Sequence, residues 1–258
     1  MIRSRREPPP FRVVEVVERE ERSPHMARIT LTGSALAGFD PGLPAASLRL
    51  LLPSADGELE VPVWRGNEFL LADGTRPLIR TLTPVRFDAD RLALDIEIVR
   101  HGVGPLSEWA GAAATGDRVA VSGTGRGYEI DPAVGSFVLV GDESALPAIS
   151  TLTAALPAGS HVRALIEIRD ADARLELPGH PRLDASWLVA APDTRPGDVL
   201  VDAIADIPLD MDTRVWAAGE AAAMHRLRRH LFDERTLPRT HAVVRGYWKV
   251  DRRPRTGG

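Results

Sequence analysis

The hydrophobic rhythm of this 258-residue chain changes once, near residue 134, and that change limits what it can fold into. Before it, apolar residues come in short runs: 11–18, with Val13, Val14, Val16 and Val17, then 26–31, 47–52, 59–64, 78–87 and 119–121. The run Leu92-Ala93-Leu94-Asp95-Ile96-Glu97-Ile98-Val99 alternates apolar and polar, the mark of a half-buried antiparallel strand. Turn residues such as Asp56-Gly57, Asp73-Gly74 and Thr115-Gly116-Asp117 separate the runs, and one helix-like stretch, 105–114, interrupts them. Short strands at this spacing predict an antiparallel β-barrel over residues 1–133.

After the change, apolar strands alternate with helical spacings. Residues 137–140 form a continuous apolar strand, and Leu146, Ile149, Leu152 and Leu156 then share one helical face. Strands are predicted at 162–168, 187–189, 215–217 and 241–248, with a helix at 221–232. This alternation predicts an α/β domain with a parallel sheet over residues 134–258.

Composition removes several kinds of chemistry. The chain has no cysteine, so it has no disulfide, thiolate zinc site, iron–sulfur cluster or cysteine nucleophile. A net charge of −4 argues against a nucleic-acid coat. No apolar run approaches the ~20 residues of a membrane span. The basic start, Met1-Ile2-Arg3-Ser4-Arg5-Arg6, runs into Pro8-Pro9-Pro10 and not into an apolar signal core, so a cytoplasmic protein is expected.

Five stretches carry candidate chemistry. In Arg80-Thr81-Leu82-Thr83-Pro84 a strand arginine can pair bidentately with a phosphate, or it is merely solvated. His101-Gly102-Val103-Gly104-Pro105-Leu106-Ser107 offers glycines for close backbone approach and free amides at a helix start. It also reads as an ordinary turn with Ser107 as cap. Gly141-Asp142-Glu143-Ser144-Ala145-Leu146-Pro147-Ala148 closes the first parallel strand, where ligands of open α/β sheets bind. It lacks GxGxxG, and a simple turn capped by Asp142 or Ser144 is the other reading. Trp216-Ala217-Ala218-Gly219-Glu220 repeats that arrangement on a later strand. Arg245-Gly246-Tyr247-Trp248-Lys249, followed by Arg252, Arg253 and Arg255, is a basic segment in an acidic chain, and Lys249 is the only lysine.

The order of these stretches resembles the ferredoxin-reductase superfamily. The wording GDESALPAI, the AGE before a helix and the closing GYWK resemble the siderophore-interacting proteins, flavin-dependent ferric-siderophore reductases, over nearly the whole chain. The resemblance implies that the barrel holds FAD, with Arg80 facing the pyrophosphate, Thr81 and Leu82 within the flavin motif, and Thr83 near the flavin N5 edge. Leu82 stands where the family has tyrosine; it can cover a ring face but cannot stack or donate a hydrogen bond. His101 and Gly102 would lie beside the ribityl chain, and Gly104, Pro105, Leu106 and Ser107 would form the phosphate turn.

By the same resemblance the α/β domain binds NADH or NADPH. Gly141, Asp142, Glu143 and Ala145 would line one turn, with Ala218, Gly219 and Glu220 near the nicotinamide. Arg169 suits a 2′-phosphate, whereas Asp170 and Asp172 suit a free ribose. A hydride would pass from nicotinamide C4 to flavin N5, and single electrons to Fe(III) held by a siderophore, with no protein acid, base or metal ligand required. Arg245, Lys249, Arg252 and Arg253 would receive the anionic ferric siderophore. A monomer is expected. Two other readings stand beside this one: a general flavin reductase-like oxidoreductase with another acceptor, and a flavin-binding protein without turnover.

Overall fold

The computed structural model describes residues 7–100, 104–210 and 212–250. The chain divides into two compact units, Met1–Glu129 and Ile130–Gly258.

The first unit is an antiparallel sheet of seven strands: β1 (Phe11–Ser23), β2 (Met26–Thr32), β3 (Ser47–Leu51), β6 (Ile79–Leu82), β7 (Pro84–Asp88), β8 (Ala93–Val99) and β9 (Arg118–Gly125), in the order β6-β3-β9-β1-β2-β8-β7. The alternation seen in the sequence does the sorting. Leu94, Ile96 and Ile98 are at most 1% exposed and join Val14, Ile29, Leu31, Leu48, Leu50 and Val121 in the core. The polar residues between them pair across strands: Thr30 Oγ1 donates to Asp95 at 2.7 Å, and Glu97 takes Arg28 at 2.8 Å.

The predicted single strand over 78–87 is two strands, and the break explains the architecture. β6 and β7 occupy opposite edges of the sheet, yet only Thr83 separates them in the chain. Neighbouring strands lie ~4.8 Å apart, so one residue cannot cross a flat seven-stranded sheet. The sheet therefore curves until its edges approach each other, as in a barrel, with Thr83 buried at the seam. The predicted strand over 59–64 shrinks to β4 (Val63–Trp64), paired with β5 (Phe69–Leu70) in a separate hairpin. Pro62 lacks the amide a longer ladder would need. The helix α1 (Pro105–Ala112) follows β8 and packs Leu106 and Trp109 on the core.

The second unit is a five-stranded parallel sheet, β10 (Ser136–Asp142), β11 (His161–Ile168), β12 (Leu183–Val189), β13 (Thr213–Glu220) and β14 (Ala242–Trp248), in the order β12-β11-β10-β13-β14. The helix α2 (Leu146–Ala155) buries Leu146, Ile149 and Leu152, with Leu156 just beyond, as their spacing predicts. On the opposite face α3 (Asp198–Ala205) and α4 (Ala221–Arg229) enclose Val138, Val140, Leu165, Val215 and Ala217. The strand order reverses between β10 and β13, the position at which open α/β sheets leave a crevice beyond their carboxyl ends.

Candidate active site

In the first unit, β6 carries Arg80 opposite Leu50 and Leu82 opposite Leu48, so both side chains stand on the core-facing side at the sheet edge. Leu82 packs against the apolar core, and Thr81, between them, is exposed. The Arg80 guanidinium donates to the Ile79 carbonyl at 3.0 Å; no carboxylate pairs with it among the described residues. At the start of α1, Gly104 rather than Ser107 is the cap residue, Pro105 opens the helix, and no side chain caps its first amides. A Cβ at Gly104 would meet nothing within 4 Å, so the backbone there is open to close approach. His101 and Gly102 lie outside the described residues.

In the second unit, the two predicted turns flank the strand-order reversal, and Asp142 joins them. Its Oδ1 accepts from the Ser144 amide at 2.9 Å and from the Ser144 hydroxyl. Its Oδ2 accepts from the Glu220 amide at 2.9 Å and from Trp248 Nε1 at 2.8 Å. Enclosure of this carboxylate pushes its pKa up from the ordinary aspartate range, and the four hydrogen-bond donors oppose that rise without cancelling it. The glycines of both turns follow from this packing. A Cβ at Gly219 would stand 2.6 Å from Asp142 Oδ2, and one at Gly141 would stand 2.4 Å from Ala145 Cβ and 2.8 Å from the Ala218 carbonyl. Glu220 caps α4, accepting from the Ala223 amide at 2.8 Å.

Glu143 and Arg169, predicted to meet the nucleotide, meet each other. Glu143, 6% exposed, accepts from the Arg169 amide at 2.8 Å and from its guanidinium at 2.8 Å, tying the turn after β10 to the end of β11. Beside them sits a residue the sequence reading passed over. Glu167, register partner of Asp142, accepts from the Gly197 amide through both oxygens at 3.0 Å. Burial, opposed by the Gly197 hydrogen bond and reinforced by the Asp142 charge, pushes its pKa up to about 7. Its signal was a lone carboxylate inside the apolar run Ala164-Leu165-Ile166-Glu167-Ile168.

Of the basic segment, Arg245 lies on β14 beside Ala218, and Lys249 is exposed just past the strand end. Arg252 and Arg253 lie outside the described residues. No cluster of His, Asp and Glu with metal-binding geometry occurs among the described residues, and no helix there is long and apolar enough to cross a membrane.

An antiparallel unit followed by a parallel unit with two turns at its reversal point is a fold shared with ferredoxin reductases. Residues 15–127 match the siderophore-interacting FAD-binding domain, and residues 134–251 match the siderophore-interacting protein model. A siderophore utilization protein from T. fusca is 34% identical, with a TM-score of 0.84 over 95% of both chains. Ferric vibriobactin reductase ViuB from Vibrio cholerae is 27% identical over 92% of this chain and 89% of its own. A ferredoxin reductase of carbazole 1,9a-dioxygenase, 13% identical, shares the fold with a TM-score of 0.67 over 92% of this chain and 67% of its own. The chain belongs to the siderophore-interacting protein family, and its first unit is that family's FAD-binding domain.

Proposed function

We propose that this protein is a cytoplasmic reductase that takes electrons from NADH or NADPH and delivers them through FAD to ferric siderophores, releasing Fe(II). The observation that carries the reading is the joining, in one chain, of a flavin-binding unit to a parallel sheet whose reversal point is flanked by two ligand-type turns.

The residues of the first unit fit FAD. A half-buried guanidinium without a carboxylate partner and uncapped helix amides are a donor set for a diphosphate. Arg80 and the Gly104–Ser107 turn would hold the diphosphate, while Leu82 would cover the ring and Thr83 would border it. When bound, FAD supplies the conversion of a two-electron donor into one-electron steps to iron. Everything else asked of the chain is binding and orientation.

In the second unit the Ala218–Glu220 turn and the Gly141–Ala145 turn would hold the nicotinamide nucleotide, kept apart and in register by Asp142. Arg245, Lys249, Arg252 and Arg253 would attract an anionic ferric chelate and leave its iron coordinated by the siderophore alone. Fe(II) binds hard oxygen ligands less tightly than Fe(III), so reduction releases it without a protein ligand.

An acceptor comparison tests the reading. With NADH or NADPH as donor, kcat/KM for a ferric tris-catecholate should exceed that for a quinone or free flavin by at least about tenfold. Equal values would mark a general flavin reductase instead.

A further inference from the structure

Three motifs far apart in the sequence, GD at 141–142, GE at 219–220 and GYW at 246–248, meet at one carboxylate. To reach Trp248, the Asp142 side chain crosses β13, which lies between β10 and β14. Gly219 makes the crossing possible, because any side chain there would occupy the place of Asp142 Oδ2. The β13–β14 ladder passes from Gly219↔Gly246 directly to Glu220↔Trp248, so a bulge at Tyr247 sets Trp248 opposite the residue whose amide shares Asp142 Oδ2. One oxygen thus holds both the start of α4 and the last residue of β14. The next residue is Lys249, which is exposed.

We propose that Asp142 is a positioning residue for both substrates. Through the Glu220 amide it sets the turn assigned to the nicotinamide nucleotide. Through Trp248 it sets the direction in which the chain departs at Lys249, and so the placement of that lysine, one of the cations assigned to the ferric chelate. This rests on the reading of the preceding section. Asp142 touches neither substrate in this account, and its effect is carried by the two hydrogen bonds on Oδ2.

Two substitutions separate the two arms. Trp248→Phe keeps the ring volume but removes the indole donor, leaving the Glu220 bond in place. It should raise KM for a ferric tris-catecholate about fivefold and leave the dissociation constants of NADH and NADPH within about twofold. Asp142→Asn keeps one acceptor oxygen for two pairs of donors and should weaken both substrates. A uniform loss of stability, with no split between chelate and nucleotide, would overturn the proposal.

The single lysine supplies a readout independent of turnover. After reductive ¹³C-methylation, Lys249 gives one dimethyl-lysine signal, expected to shift in both variants. If the wild-type protein reduces no ferric chelate, the functional reading fails, and this signal alone decides the positioning. A Lys249 signal unchanged by both substitutions would overturn it.

Discussion

Trp248 Nε1 donates to Asp142 Oδ2 at 2.8 Å across an intervening strand and a sequence separation of 106 residues. The position of this carboxylate explains one glycine of the second unit, and close backbone packing beside it explains another. Gly219 must be bare for the carboxylate to lie over it, and Gly141 must be bare for the chain to turn into α2 against β13. Family motifs at strand ends are commonly read as ligand contacts. Here the same residues bond to one another and build a frame.

Gly219→Ala should therefore destabilise the second unit by roughly 2–4 kcal/mol, because the new Cβ displaces a carboxylate that accepts four hydrogen bonds. Gly104→Ala is the control. With nothing within 4 Å of the new Cβ, it should leave unfolding within about 0.5 kcal/mol of wild type yet weaken FAD binding. Denaturant unfolding followed by tryptophan fluorescence, together with flavin titration, distinguishes the two.

Glu167 gives a pH signature. Its folded-state pKa of about 7 lies above the ordinary value of 4.5, so the folded state holds its proton more tightly than the unfolded state does. The stabilisation is complete below pH 4.5, falls as pH rises through about 7, and is absent above that. Glu167→Gln removes this component. Relative to wild type, the variant should gain on the order of 2–3 kcal/mol between pH 5 and pH 8, read from unfolding curves across that range.

Arg169→Ala should cost about 1–3 kcal/mol, since it leaves the buried Glu143 carboxylate with only the backbone amide of residue 169 as partner. Glu143→Gln with Arg169 intact should cost less, because the amide oxygen still accepts a hydrogen bond. Thermal unfolding of both variants at one pH checks the order.

Arg80→Ala should weaken FAD binding by roughly 10- to 100-fold, the loss of a bidentate charge-assisted contact to phosphate. It should leave the flavin-free protein's melting temperature nearly unchanged, because the guanidinium bonds within the chain to the adjacent carbonyl. Flavin retention on gel filtration and melting of the flavin-free protein test the two halves.

Period-two alternation made β8 readable residue by residue, because one face of that strand is apolar core and the other carries polar residues paired across strands. The helical face of α2 was readable for the matching reason. The break at Thr83 was not, because nothing in the run 78–87 tells which edge of a sheet a residue will occupy. The helix α3 was missed: Asp198-Val199-Leu200-Val201-Asp202-Ala203-Ile204-Ala205 is short and rich in β-branched residues, and its start is a left-handed Gly197 anchored by Glu167, a tertiary contact. At the candidate site, residue types and positions were visible as motifs. Their partners were not: Asp142 with Trp248, Glu143 with Arg169 and Glu167 with Gly197 are all long-range pairings that no local spacing encodes.

The most direct test is anaerobic. Protein loaded with FAD is reduced with NADH or NADPH, then mixed with a ferric tris-catecholate and a ferrous-iron trap while the flavin spectrum is followed. The proposed reduction requires bleaching on addition of the nucleotide, then recovery of the oxidised spectrum with about two ferrous ions trapped per flavin, since each reduced flavin carries two electrons. Flavin that bleaches but is not reoxidised by the ferric complex, with no ferrous iron trapped, would contradict it.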